Sequence, residues 1–204
     1  MPRFFLQFLA AIGLPLMIGL SLPDNKASKT DNLSPLSANY DGYPEHLPGA
    51  FTGGFGEETC HSCHFDYDIN NERGSLTVQG PGEKYTPGKS YEFTVIVESE
   101  RIGNGGFQMT ARFEDGSQAG EFDWTGDRLS FTPSVDENIQ YIQHSEAGTN
   151  LTAERQISWS FEWIAPNNSP EPVIFNIAAN AGNDDFSAFG DWIYVQEIIV
   201  KPKR

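Results

Sequence analysis

Apolar and other residues alternate with a period of two over three stretches of the chain. Tyr91, Phe93, Val95 and Val97 are interleaved with Glu92, Thr94, Ile96 and Glu98, after a turn signal at Thr86-Pro87-Gly88. Phe107, Met109, Ala111 and Phe113 are interleaved with Gln108, Thr110, Arg112 and Glu114. Ile157, Trp159, Phe161 and Trp163 are interleaved with Gln156, Ser158, Ser160 and Glu162, and Ala165-Pro166 ends the run. A two-residue period with one apolar face predicts half-buried antiparallel strands. Shorter candidates are Leu76 to Gln79, Glu121 to Trp124, Ile139 to His144, Val173 to Ala179 and Trp192 to Val200. Roughly seven to nine strands joined by Gly/Pro/Asn-rich turns, with no sustained helical period, predict an all-β fold: an immunoglobulin-like antiparallel β-sandwich, with a closed barrel as the runner-up. Its core is largely aromatic, each buried ring being worth about 2–3 kcal/mol.

The pattern changes towards the N-terminus. After Arg3, an apolar run from Phe4 to Leu22 predicts an export signal in residues 1–22, acting as a cleaved signal peptide or as a retained N-terminal membrane anchor. Residues 23–50 are rich in Asp, Asn, Ser and Pro, lack either periodicity, and read as a disordered linker. The sandwich is then expected over 51–202, with a loop at 52–66 at its start. The expected location is periplasmic, cell-surface or extracellular. The 204 residues carry a net charge of −15, from 13 Lys+Arg against 28 Asp+Glu, which argues against nucleic acid as a partner.

The chemistry concentrates in that loop. The only two cysteines stand in Cys60-His61-Ser62-Cys63-His64, the order and spacing of a c-type haem attachment site. Two thiols three residues apart can reach the two vinyl-derived carbons on one porphyrin edge, and the next imidazole, His64, falls beneath the iron. The expectation is one covalent haem c, held by Cys60, Cys63 and His64. A disulfide, a redox-active dithiol and a zinc site that borrows two histidines remain open at this spacing.

The chain resembles an exported bacterial β-sandwich family, often labelled choice-of-anchor V and distantly similar to Reeler domains. The resemblance is carried by Thr52-Gly53-Gly54-Phe55-Gly56-Glu57-Glu58-Thr59-Cys60-His61-Ser62-Cys63-His64, in which Gly54-Phe55 stands where that family has Ala-Pro. It continues through Tyr85-Thr86-Pro87-Gly88, Gly106-Phe107-Gln108, Tyr141-Ile142-Gln143-His144, Trp159-Ser160-Phe161-Glu162-Trp163 and Gly190-Asp191-Trp192-Ile193-Tyr194. It implies a sandwich with an N-terminal haem-binding loop on a cell-surface or periplasmic protein.

Four side chains compete as second iron ligand. His144 follows a strand at Ile139–Ile142 and precedes a turn, and the resemblance also has a histidine there, so His64 and His144 are the expected metal pair. Met109 shares its face with Phe107 and Phe113 and reads better as core, His46 sits in a Pro-rich stretch, and His61 is trapped between the attachment cysteines. The function these readings imply is electron transfer to a redox protein partner in the cell envelope. The alternative is a non-redox cell-surface binding or adhesion module in which Cys60 and Cys63 form a disulfide or a metal site. An enzyme is not expected, because no distal acid–base residue, Ser-His-Asp set or phosphate loop stands out.

Overall fold

The structure, a computed structural model, describes residues 49–132, 138–167 and 171–203. The signal or anchor at 1–22, almost all of the 23–50 linker, and His46 lie outside them. Ten strands occur among the described residues: β1 (Gly74–Gln79), β2 (Lys84–Tyr85), β3 (Ser90–Ser99), β4 (Asn104–Arg112), β5 (Glu121–Asp123), β6 (Leu129–Phe131), β7 (Ile142–His144), β8 (Gln156–Ile164), β9 (Val173–Gly182) and β10 (Trp192–Pro202). They form two layers, a four-stranded sheet in the order β1-β3-β8-β5 and a six-stranded sheet in the order β2-β10-β9-β4-β7-β6. Every pairing is antiparallel except β2 with β10, where Lys84 lies beside Lys201 and Tyr85 beside Pro202.

The three strong alternations become β3, β4 and β8. β3 and β8 pair from Ser90↔Ile164 to Glu98↔Gln156, which puts Phe93 opposite Phe161 and Val95 opposite Trp159 on the inner face. Across the layer gap, Phe175 of β9 lies 4.9 Å from both Phe93 and Trp163, and Phe107 of β4 lies 4.7 Å from Trp159. Two of the buried indoles find acceptors in loops: Trp159 Nε1–H donates to the Gly148 carbonyl and Trp163 Nε1–H to the Ala119 carbonyl, each at 2.9 Å. An indole thus fills the core and ties a connection to it in one residue.

Three differences from the sequence pattern have physical causes. β4 is buried on both faces rather than one, because residues 49–57 cover Gln108 and Arg112 on its outer face and Thr110 is bonded to the Gln140 carbonyl of the segment before β7. β2 and β6 are too short for alternation to reveal them and exist through their neighbours' hydrogen bonds. The stretch expected from Ile139 narrows to Ile142–His144, since β7 pairs with β4 only at Gln108↔Gln143 and Met109↔Ile142.

Beyond that point a side chain replaces the ladder. The His144 ring reaches the β4 backbone, its Nδ1 3.0 Å from both the amide nitrogen and the carbonyl oxygen of Phe107. It packs on Gly106 and stands 6.5 Å from Trp159. Burial pushes its pKa down from 6.5 to about 4, opposed in part by the Phe107 backbone bond. The unfolded chain therefore takes up this proton first, and stability present above pH 6.5 is lost as pH falls towards 4. The expected loss from this group is about 3 kcal/mol. Urea unfolding of wild type and His144→Gln across that window should show the wild-type midpoint falling more steeply, with the two slopes converging below pH 4.

Candidate functional site

Residues 49–70 form a belt across the outer face of the six-stranded sheet. It begins over β4, where the Phe51 amide donates to Gln108 Oε1 at 2.6 Å. A tight reversal follows, with Thr52 bridged to Thr59, Gly53 N–H donating to the Glu58 carbonyl and Glu57 N–H to the Gly54 carbonyl. Gly54 lies so close to β9 that a β-carbon there would meet Asn176 Oδ1 at 2.1 Å. The alanine that the resembled family has at this place would not fit.

Glu57 is the anchor of this first half. Its Oε1 is 2.6 Å from Arg112 Nη2 and accepts from the Tyr141 hydroxyl at 2.7 Å, while its Oε2 accepts from Thr52 Oγ1 at 2.5 Å. The ion pair is largely enclosed, the two side chains being 6% and 12% exposed, and the Phe55 ring lies 4.2 Å over the guanidinium. A buried charge without such company would be expelled or neutralised.

The cysteine segment comes next. Cys60–Ser62 is one 3-10 turn whose first amides are capped by Thr59, with His64 N–H donating to the Cys60 carbonyl at 3.0 Å. Cys63 is exposed and Cys60 half-buried, and the two are unbonded. Burial pushes the Cys60 thiol up to about 12, with neighbouring Cys63 adding to the rise. A thiol held protonated at neutral pH is a poor nucleophile and a poor metal ligand.

His64 is turned onto the sheet. Its Nδ1–H donates to Asp191 Oδ2 at 2.7 Å, the same oxygen accepts from Asn180 Nδ2–H at 3.2 Å, and Asp191 Oδ1 accepts from the Asn183 amide at 3.0 Å. Asp191, 4% exposed, is thus matched by three donors. The belt closes along β10: Gly190 N–H donates to Asp66, Asn70 N–H to the Ile193 carbonyl, and the Asn70 amide bonds both the N–H and the carbonyl of Val195. The remaining candidates lie elsewhere. His144 is on β7, separated from β9 and its Asn180 by β4. Met109 is fully buried core, and His61 Nε2 is 3.0 Å from the Tyr67 carbonyl.

Around the belt's second half, aromatic rings project into solvent. Phe65 and Phe189 meet edge to face at 5.8 Å while remaining 57% and 55% exposed, and Phe186 is fully exposed. The aspartates 66, 68, 184 and 185 stand beside them.

Two aromatic-cored β-layers, one covered by a belt that ends in an exposed aromatic rim, define a sandwich domain built to present loops. The model of the Reeler domain matches residues 58–189, and the chain belongs to that family. Among solved structures, the chain is similar to the Reelin-N domain of F-spondin (21% identity, 67% of this chain and 91% of that one, TM-score 0.45) and to the human F-spondin reeler domain (18%, 66% and 93%, TM-score 0.42). It is also similar to a type II cohesin domain from the cellulosome of Acetivibrio cellulolyticus (8%, 62% and 94%, TM-score 0.34). No curated protein matches it. The family agrees with the expectation that the chain is not an enzyme.

The haem c expectation is overturned, and with it the iron, cytochrome-like and electron-transfer reading. The Reeler match runs through the cysteine segment as part of the domain, and among the described residues no group of three or more His, Cys, Asp and Glu converges to hold a metal. The residues present do not fit the group either: His144, the expected second ligand, is committed to the β4 backbone two strands from the one that meets His64. The short motif matched the spacing of haem attachment without the surroundings that attachment needs.

The anchor can be tested directly. Glu57→Gln leaves the Arg112 charge enclosed without its partner and should cost about 3 kcal/mol. Adding Arg112→Met should restore a large part of that loss. Denaturant midpoints of the two variants and wild type measure both effects.

Proposed function

We propose that this Reeler domain is an exported, non-catalytic binding module, working in the periplasm, at the cell surface or outside the cell, that docks a partner protein through the aromatic rim of its belt. The observation that carries the reading is the cluster of Phe65, Phe186 and Phe189, held out into solvent on segments fixed by the His64–Asp191 and Asp66–Gly190 bonds. Rigid exposed aromatics lose little entropy on binding and supply most of the energy at protein interfaces. The flanking aspartates favour a partner with an apolar hollow and a basic border, an attraction that weakens as salt rises. Export is supported by the apolar run at residues 4–22, which serves either as a cleaved signal or as the membrane attachment. Membership of the choice-of-anchor V group and of the immunoglobulin-like sandwiches is the finer placement we favour, on the motif around Thr52–Thr59 and on the two packed layers.

In this reading Cys60 and Cys63 form a staple. Oxidation by the disulfide of an oxidised envelope protein, which takes up the two electrons and two protons as it is reduced to a dithiol, joins the Cys60 and Cys63 sulfurs and closes the turn. Later attack at Cys63 would have to expel Cys60, whose thiol pKa of about 12 makes it a poor leaving group. The bond is therefore structural rather than cycling.

Two measurements check these statements. A photo-crosslinking amino acid in place of Phe186 should yield one discrete higher-mass adduct in cells, and the same group in place of Glu92, on the outer face of the other sheet, should yield none. Equal labelling from both positions, or no adduct from Phe186, would reject the docking rim. Protein recovered from the oxidising compartment should resist alkylation at both cysteines until reduced, and two adducts without reduction would remove the staple.

A further inference from the structure

β1 ends one side of the four-stranded sheet and pairs with β3 alone. Its six residues, Gly74 to Gln79, include no charge and no proline, and they alternate between half-buried and exposed. Just ahead of the strand, Glu100 N–H donates to the Arg73 carbonyl in the same register, so the backbone groups of odd-numbered residues face β3. Those of Gly74, Leu76 and Val78 point away from the sheet, where no strand pairs with them among the described residues.

The other edges are blunted. β5 and β6 are three residues long, and β5 carries Glu121 and Asp123. β2 has two residues, and β10 beside it is engaged at Ile193 and Val195 by Asn70 and at Lys201 by the Glu83 carbonyl. Native sheets protect exposed edges by such means, because an open row of N–H and C=O groups accepts another strand. β1 has none of them. Its inward side chains Leu76 and Val78 pack on the core yet stay half-buried, since nothing lies beyond them in the sheet. The space beside them is open, a crevice of about 280 Å³ bordering Gly74 and Leu76 on the side of β10.

We propose that two copies of this chain pair through β1, antiparallel about a two-fold axis that passes through the sheet at Thr77. An axis perpendicular to the sheet keeps the inward residues of both copies on one face, which a continuous layer requires. Centred on Thr77, it sets Leu76 against Val78 of the second copy, Thr77 against Thr77, Ser75 against Gln79 and Gly74 against Gly80. An axis at Leu76 would leave Val78 facing Gly74. In the Thr77 register Leu76 and Val78 form the hydrogen-bonded pairs through their outward groups, and the two threonines form the close pair between them. Antiparallel pairing also brings the Glu72-Arg73 end of each copy towards the Glu83-Lys84 end of the other, where opposite charges can meet. The strand is thus its own complement, in side chains and in end charges. One strand pair is a small interface, so the association is weak. Each copy carries a net charge of −15, and the pairing strengthens as salt rises, the reverse of docking through the rim. It uses neither the rim nor the belt and stands independently of that reading.

The test is analytical ultracentrifugation of the exported chain from micromolar to millimolar concentration, with amide exchange followed by NMR over the same range. A monomer–dimer equilibrium should appear and shift towards dimer with added salt. The Leu76 and Val78 amides should exchange more slowly as concentration rises, and the Thr77 amide, which faces β3, should not change. Thr77→Lys puts like charges across the axis and should weaken the dimer about tenfold while the monomer unfolds at the same midpoint. Ser158→Lys, two strands further in on the same outer face, makes the same change in net charge and should not weaken it. With Cys60 and Cys63 replaced by serine, Thr77→Cys should form a disulfide between copies on oxidation, and Ser75→Cys should not. A chain that stays monomeric throughout, a dimer indifferent to Thr77→Lys, or no slowing at Leu76 and Val78 would each overturn the proposal. Crosslinking of Thr77→Cys to another envelope protein and not to itself would overturn it too, and would give the edge to a foreign strand.

Discussion

The guanidinium of Arg112, enclosed on the outer face of a central strand, has to be neutralised where it lies. Glu57 supplies the charge, and Tyr141 and Thr52 take up the remaining capacity of its carboxylate. Because Glu57 sits in the segment preceding the sandwich, satisfying this one cation draws residues 49–57 across the sheet. Gln108 and Asn176 can then be buried beneath that cover, with Gln108 bonded to Gly49 and Phe51 and Asn176 bonded to Glu197. The direction imposed at Glu57 carries the chain on to His64 and Asp191, so the placement of the cysteine turn and of the aromatic rim follows from it.

The two layers divide the work. The inner faces are held by aromatic contacts between β3, β8, β9 and β4, and the indoles of Trp159 and Trp163 attach loops to that core. The outer face of the six-stranded sheet is polar yet buried, and its belt is fixed by directional bonds and charge instead of by apolar area. A face of that kind tolerates little slippage, because each displaced group leaves another without a partner.

How far this could be read beforehand depended on the range of each interaction. β3 and β8 were plain in the residue pattern because a half-buried strand writes its exposure into every second position. β4 showed the same alternation, but Gln108 and Arg112 read as solvent-facing when they are covered by the segment that precedes the sandwich. The cysteine segment stood out as the one dense cluster of reactive side chains, and its place at the start of the sandwich was legible. Its chemistry was not, since Asp191 lies 127 residues from His64, Arg112 meets Glu57 through the fold alone, and a five-residue motif carries no information on either. His144 misled for the same reason: a histidine at a strand end looks available, and here it fills a break in the ladder.

The parallel stitch between β2 and β10 has a consequence for the order of events during synthesis. Lys84 and Tyr85 find their partners only at Lys201 and Pro202, and the belt needs Asp191, Ile193 and Val195. Neither the β2 edge of the six-stranded sheet nor the second half of its cover can assemble until the ribosome has nearly finished the domain. Such non-local closure is slow, and it leaves the six-stranded sheet incomplete for most of the chain's production. A sheet left open in this way is thin enough at its unfinished side to pass lengthwise through a narrow opening.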